Sequence, residues 1–180
     1  MNALVSANLL AQALLFFGAV WCIAFPTRRI YPMAGKNGWY YAMWALFYFV
    51  LLTNPIFVVL DWNTGVWASP LRYWVAAPLA LTGALLFGAG FTSLGMRNTS
   101  GLRDGFVARG PYLLTRNPQY LGDILMFAGV TIAANSGVVL VTHALISLTF
   151  VLAPFAEEPW LDAQYGEAYV AYRHDVPRFL

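Results

Sequence analysis

Residues 118–155 read PQYLGDILMFAGVTIAANSGVVLVTHALISLTFVLAPF, two apolar runs either side of Asn135-Ser136-Gly137. Asn, Ser and Gly in succession are turn chemistry, and a turn this short leaves room only for antiparallel neighbours, so the stretch reads as a helical hairpin over 118–134 and 138–155. Apolar runs of this kind recur upstream at 3–25, 39–60 and 73–94. Each is long enough for a bilayer core of about 30 Å, which takes about 20 residues of helix. The first run lacks a basic leader and is longer than the apolar part of a signal peptide, so it is expected to be a retained span. Pro55 should kink the second, and Trp39, Tyr40, Tyr73 and Trp74 stand where interfacial anchors are expected. Ala80, Ala84 and Gly88 recur at every fourth position and predict close helix packing.

The whole composition agrees with lipid as the solvent. Of 180 residues, 60% are hydrophobic, 17% aromatic and only 10% charged, against roughly 25% charged in ordinary soluble domains. The expected fold is all-α: a polytopic membrane protein of about five transmembrane helices, in one domain spanning 1–180. Ten basic residues then sort unevenly. Arg28, Arg29, Lys36, Arg97, Arg103, Arg109, Arg116, Arg173 and Arg178 fall on one face, and Arg72 stands alone on the other. By the positive-inside rule the N-terminus lies outside and the C-terminus in the cytoplasm. Dropping one helix of the hairpin would put Arg173 and Arg178 on the wrong face, so five spans fit better than four. The net charge of +2 is spread over several loops, which leaves no basic block dense enough for nucleic acid. One cysteine, Cys22, and two histidines, His143 and His174, fall short of a disulfide framework and of a structural metal site. Cys22 reads as packing, and His143, inside a span, as an interhelical hydrogen bond.

Polar residues gather in 95–123 and 156–180. Asn117-Pro118 reads as a helix start, with Asn117 as N-cap and Pro118 in the first helical position. The positive end of that helix, beside Arg116, suits a carboxylate or phosphate. The plain alternative is that Asn117 only caps, Arg116 meets lipid headgroups and Tyr120 anchors at the interface. Gly122 permits a close neighbour, helix or ligand, and Asp123 complements the dipole. In Glu157-Glu158-Pro159 the proline disfavours helix at Glu158, so the chain is expected to break and restart there. The carboxylates would then face a helix N-terminus, or recognise a cationic or hydroxyl-bearing ligand. Beyond the break, Leu161, Tyr165, Ala168, Tyr169 and Tyr172 recur at helical spacing and predict an amphipathic interfacial helix at the C-terminus.

Taken together, Arg116-Asn117-Pro118-Gln119-Tyr120-Leu121-Gly122, then Glu157-Glu158 with Leu161, Tyr165-Gly166-Glu167-Ala168-Tyr169, Tyr172 and Val176-Pro177-Arg178-Phe179, resemble the signature of the isoprenylcysteine carboxyl methyltransferase and phospholipid methyltransferase superfamily. Gly110-Pro111-Tyr112 fits as well. Asn117 stands where that signature has histidine, which keeps hydrogen bonding and removes any role for a protonated imidazole. The resemblance implies S-adenosyl-L-methionine as the cofactor, bound from the cytoplasm by the part 95–180. By position, Tyr112, Arg116, Asn117, Pro118, Tyr120, Gly122, Glu157, Glu158 and Tyr169 would form its site, with Arg116 and Glu158 the catalytic pair. Arg116 would hold the carboxylate and Glu157 or Glu158 the ammonium or ribose hydroxyls. A glutamate of the pair or Tyr169 could assist deprotonation of an amine acceptor. The implied acceptor is lipid-like or prenylated, a carboxylate or an amine, entering from the bilayer, with membrane lipids as the other partner and no metal. The compactness is of a bacterial kind, giving an inner-membrane location as the expectation. Two other readings stay open: an NADPH-dependent membrane reductase of the sterol type, whose C-terminal halves carry a related stretch, and a non-catalytic membrane protein.

Overall fold

The structure, a computed structural model, describes residues 1–32, 35–67 and 69–180. Among them there is no strand. The helices are α1 (Asn2–Ala24), α2 (Gly38–Leu60), α3 (Arg72–Leu94), a short α4 (Met96–Thr99), α5 (Pro118–Ala134), α6 (Gly137–Tyr165) and α7 (Glu167–Asp175), with 3-10 turns at Pro26–Arg28 and Gly110–Leu113. Four of them, α1, α2, α3 and α6, are long and apolar enough to cross a membrane. At 17 residues, α5 rises about 26 Å at 1.5 Å per residue and is shorter than these. The outside of the bundle is apolar: Phe17, Leu52, Val59 and Leu85 are exposed, and Trp39 and Trp74 stand out near the starts of α2 and α3.

The closest packed pair is α3 with α5, and glycine makes it possible. A Cβ on Gly122 would lie 2.5 Å from the Phe87 nitrogen and 2.7 Å from the Gly83 oxygen; one on Gly129 would lie 2.5 Å from the Ala80 nitrogen. Backbones this near leave no room for a methyl group, and small residues at the contact are how helices associate where lipid is as apolar as the side chains. The face of α3 that does this carries Ala76, Ala80, Gly83 and Gly90. Of the stripe expected from the sequence only Ala80 belongs to it. Ala84 is exposed and Gly88 meets nothing within 4 Å, because the true contact follows a mixed three- and four-residue step while the expected stripe drifts off the face. On the other side of α5 lies α6, which in turn packs on α1 and α2.

The hairpin turn is as expected. Asn135 ends α5 in the left-handed region (φ 47°, ψ 56°), and the Ser136 hydroxyl accepts from the Val139 N–H at 3.0 Å to cap α6. The same turn anchors the loop between α2 and α3. Asn135 Nδ2 donates to Asn63 Oδ1 at 3.0 Å, while Arg72, 3% exposed, donates to the carbonyls of Ala133 and Trp67 and to Asn63 Oδ1. The lone cation of this end is thus a structural clasp. His143 Nδ1 lies 2.8 Å from Thr131 Oγ1 and 3.2 Å from the Phe127 oxygen, which joins α6 to α5.

A second expectation fails. The chain does not break at Glu158-Pro159: α6 runs on through Pro154 and Pro159 to Tyr165, and the break comes at Gly166 (φ 56°, ψ −135°). Proline's effect on its predecessor is a preference that packing can override. Here Pro154, Ala156, Glu158 and Trp160 are all buried, and Glu158 is tied to two arginines. The expected aromatic stripe is therefore divided, Leu161 and Tyr165 ending α6 while Tyr169 and Tyr172 sit on α7.

Candidate functional site

The end of the bundle where α5 begins and α6 ends is closed by the tail. The Arg116 N–H donates to the Pro177 carbonyl at 2.9 Å, and the Arg178 carbonyl accepts from Thr115 Oγ1 at 3.1 Å and from Asn117 Nδ2 at 2.9 Å. Asn117 occupies the N-cap position, but its side chain makes no cap; it is used to hold the tail. The third loop, residues 95–117, and the C-terminal segment thus fold together over one end of the molecule.

At their junction Glu158 stands between two guanidinium groups. Arg178 grips it with both prongs, Nε to Oε1 and Nη2 to Oε2, each at 2.7 Å. Arg116 Nη1 lies 2.9 Å from Oε1. Arg178 also stacks over the Phe155 ring at 3.8 Å from its centroid. Arg116 and Glu158 are nearly shut off from solvent, with 8% and 9% of their side chains exposed. Two guanidiniums against one carboxylate leave a surplus positive charge in a low-dielectric place. The Arg116 Nη1 contact is an ion pair off the hydrogen-bond line, so both its Nε and Nη1 are buried without a hydrogen-bond acceptor. A buried donor without a partner is costly, and such groups are ready for a ligand.

Glu157, one residue earlier, points elsewhere: the Tyr120 hydroxyl donates to its Oε1. Tyr31 from the first loop comes against the same two groups. Tyr112 is buried, takes a hydrogen bond from Gln119 Nε2 on its hydroxyl at 3.0 Å, and accepts from the Tyr172 hydroxyl on its carbonyl at 2.6 Å. Tyr169, 3% exposed, sits beside Arg116 and Glu158; burial first, and then the Glu158 carboxylate, push its phenol up to about 12. It therefore stays neutral at physiological pH and is a poor resting base. Burial pushes the phenols of Tyr112 and Tyr172 in the same direction.

These groups line one end of a cavity of about 680 Å³. Tyr112, Arg116, Asn117, Tyr120, Glu157, Glu158 and Tyr169 all reach it. Away from this end its walls are mostly apolar, with Leu15, Phe47, Val50, Phe87 and Phe150 between the helices. Two residues proposed from the motif do not face it: Gly122 and Pro118 turn to α3, where they let α5 approach Phe87 and Gly90. Their part is to place Arg116 and Tyr120. Sequence reasoning missed Tyr31, Gln119 and Phe106. Phe106 packs against Tyr165 and Tyr172 at 5.5 and 5.4 Å between ring centroids and closes the loop over α7. Of the three only Gln119 falls within the quoted motif, and the motif gives it no role. No group of three or more His, Cys, Asp or Glu residues able to hold a metal occurs among the described residues.

A family model described as phospholipid methyltransferase matches residues 71–168, more than half of the chain, from the first turn of α3 to the start of α7. No curated protein and no solved structure matches it.

Proposed function

The chain belongs to the phospholipid methyltransferase family, and on that premise we propose that it is an integral membrane methyltransferase that uses S-adenosyl-L-methionine and methylates a lipid-like acceptor, an amine or a carboxylate, at the cytoplasmic leaflet. The reading takes α5 as a fifth, short span and α7 as a helix at the interface. It puts the N-terminus outside and the tail inside, in a bacterial inner membrane. The family match, the uneven basic residues and the closed polar end of the cavity support it.

One observation carries the cofactor assignment: Arg116, buried and with two nitrogens lacking acceptors, stands in the same cavity as Glu157 and Tyr120. A small zwitterion needs those two kinds of partner, a cation for its carboxylate and an acceptor for its ammonium or hydroxyls. The donor set fits, and about 680 Å³ lies within the usual range of small-molecule sites. Glu158 takes a different part from the one implied by its motif. Both its oxygens are engaged by arginines, so it aims Arg116 and fixes the tail, and Glu157 is the carboxylate open to the ligand.

When bound, the cofactor supplies an electrophilic methyl group. The protein's work is to hold both partners in line at near-attack distance and to keep water out. Arg116 holds a carboxylate, Tyr120 and Glu157 hold the opposite end, and the apolar walls admit a hydrocarbon tail from the side. A carboxylate acceptor reacts without a base. For an amine, Glu157 is the group placed to take the proton, since Tyr169 is held neutral.

Calorimetry with S-adenosylhomocysteine on the full chain in detergent tests the reading. Binding to the native protein, reduced at least tenfold in Arg116→Ala and Glu157→Gln, is expected. No binding, or stabilisation by NADPH in its place, overturns it.

A further inference from the structure

Far from the arginines, the cavity reaches Asn54 of α2, one of four buried polar side chains between α1 and α2. Asn8 and Gln12 of α1 and Thr53 and Asn54 of α2 are 0–6% exposed. Their hydrogen bonds run in one direction. The Thr53 hydroxyl donates to the Phe49 carbonyl at 2.7 Å, so its oxygen must accept from Asn8 Nδ2 at 2.6 Å. That fixes the Asn8 amide, whose Oδ1 then accepts from Gln12 Nε2 at 2.6 Å. Asn54 Nδ2 donates to the Val50 carbonyl at 2.8 Å. A donor of every one of the four is in use, and two acceptors are left over: Gln12 Oε1 and Asn54 Oδ1, both buried without a partner. Asn54 lines the cavity.

In the hydrocarbon region water does not make good such a deficit. A buried carboxamide oxygen without a partner calls for a donor. Asn54 lies one turn beyond Val50, which packs with Ile146, and Glu157 lies eleven residues further along α6. At 1.5 Å per residue the two ends of the cavity are roughly 20 Å apart.

We propose that the deep end of the cavity, at Asn54, recognises a hydroxyl or N–H carried far down the tail of the methyl acceptor, so that the acceptor is a bifunctional amphiphile, not a lipid with plain acyl chains. The inference rests on the methyl-transfer reading for the identity of the head group, and on the Asn54 geometry alone for the tail. Thr53 and Asn8 brace the cluster, and Asn54 Oδ1 is the specificity element.

The test compares hexadecane-1,16-diol with hexadecan-1-ol, added to the full chain in lipid nanodiscs without cofactor, by thermal shift and competition. The native protein is expected to hold the diol roughly three- to ten-fold more tightly, the worth of one neutral hydrogen bond. Asn54→Leu removes the orphan acceptor and should abolish that preference while keeping its stabilisation by S-adenosylhomocysteine. Equal shifts for the two probes in the native protein overturn the proposal, and so does a preference that survives in Asn54→Leu. Should that variant fail to accumulate, Asn54→Met serves, and the native comparison decides by itself. A native protein that prefers the diol but ignores S-adenosylhomocysteine would sink the methyl-transfer reading and leave the tail site standing.

Discussion

Replacing Glu158 with alanine takes the counter-charge from two arginines at once. Its oxygens lie 2.9 Å from Arg116 Nη1 and 2.7 Å from Arg178 Nε and Nη2. The two arginines differ in what they can do next. Arg178 has 31% of its side chain exposed and can turn to water, but Arg116 has 8% and no other carboxylate within ion-pair distance among the described residues. Breaking a buried pair on one side costs about 3–5 kcal/mol, because the remaining charge is stranded. Glu158→Ala should therefore lose about 3–5 kcal/mol, a fall in melting temperature on the order of 10 °C for a chain of this size. Arg178→Ala leaves Glu158 its inner partner and should lose about 1–2 kcal/mol, the value of a charge-assisted hydrogen bond. The informative variant is Arg116→Met with Glu158→Leu, which removes both buried charges and should recover most of the loss while binding no S-adenosylhomocysteine. Unfolding by SDS titration in micelles, followed by tryptophan fluorescence, gives all three values. A Glu158→Ala protein within about 1 kcal/mol of the native one, or a double variant no better than that single, would refute the argument.

Gly122→Ala should destabilise by about 1–3 kcal/mol, since the new methyl meets the α3 backbone, whereas Gly88→Ala, with nothing within 4 Å, should be neutral or stabilising; melting of the two proteins side by side checks this. For Tyr169 the folded phenol titrates at about 12, above the unfolded value near 10, so the folded state keeps a proton that the unfolded state has released. Its contribution is complete below pH 10 and is lost as pH rises toward 12, so Tyr169→Phe should flatten the alkaline fall in stability, read by melting between pH 9 and 12. Arg72→Ala should leave several buried acceptors unpaired and cost on the order of 3 kcal/mol, with S-adenosylhomocysteine affinity unchanged because the clasp lies at the opposite end; calorimetry and melting separate the two effects.

The helices were legible because hydrophobic length is a direct demand of the bilayer: the runs at 39–60, 73–94 and 118–134 match α2, α3 and α5 to within a residue. The turn at Asn135-Ser136-Gly137 was legible for a similar reason, as local chemistry with a local outcome. What escaped was tertiary. The proline rule at Glu158 failed because two arginines distant in sequence hold that turn. The helix contact of α3 was misplaced by one register because spacing alone does not say which small residue meets a neighbour. The motif picked out residues that the fold brings to one cavity, but not their pairing: Arg116 and Glu158, read as opposite grips on a ligand, face one another, and Asn117, read as a cap, binds the tail. Tyr31 and Asn54 had no motif to announce them; only the folded arrangement brings them to the cavity.

The tail is fastened to the third loop largely through main-chain oxygens, those of Pro177 and Arg178. Such a fastening reads the path of the chain and is indifferent to most side chains, so spelling changes at position 177 should pass while the loss of a single residue there would throw the Arg178 guanidinium out of step with Glu158. A chain cut before Val176 would keep α1 to α7 and lose the two carbonyls and the guanidinium that close this end of the cavity.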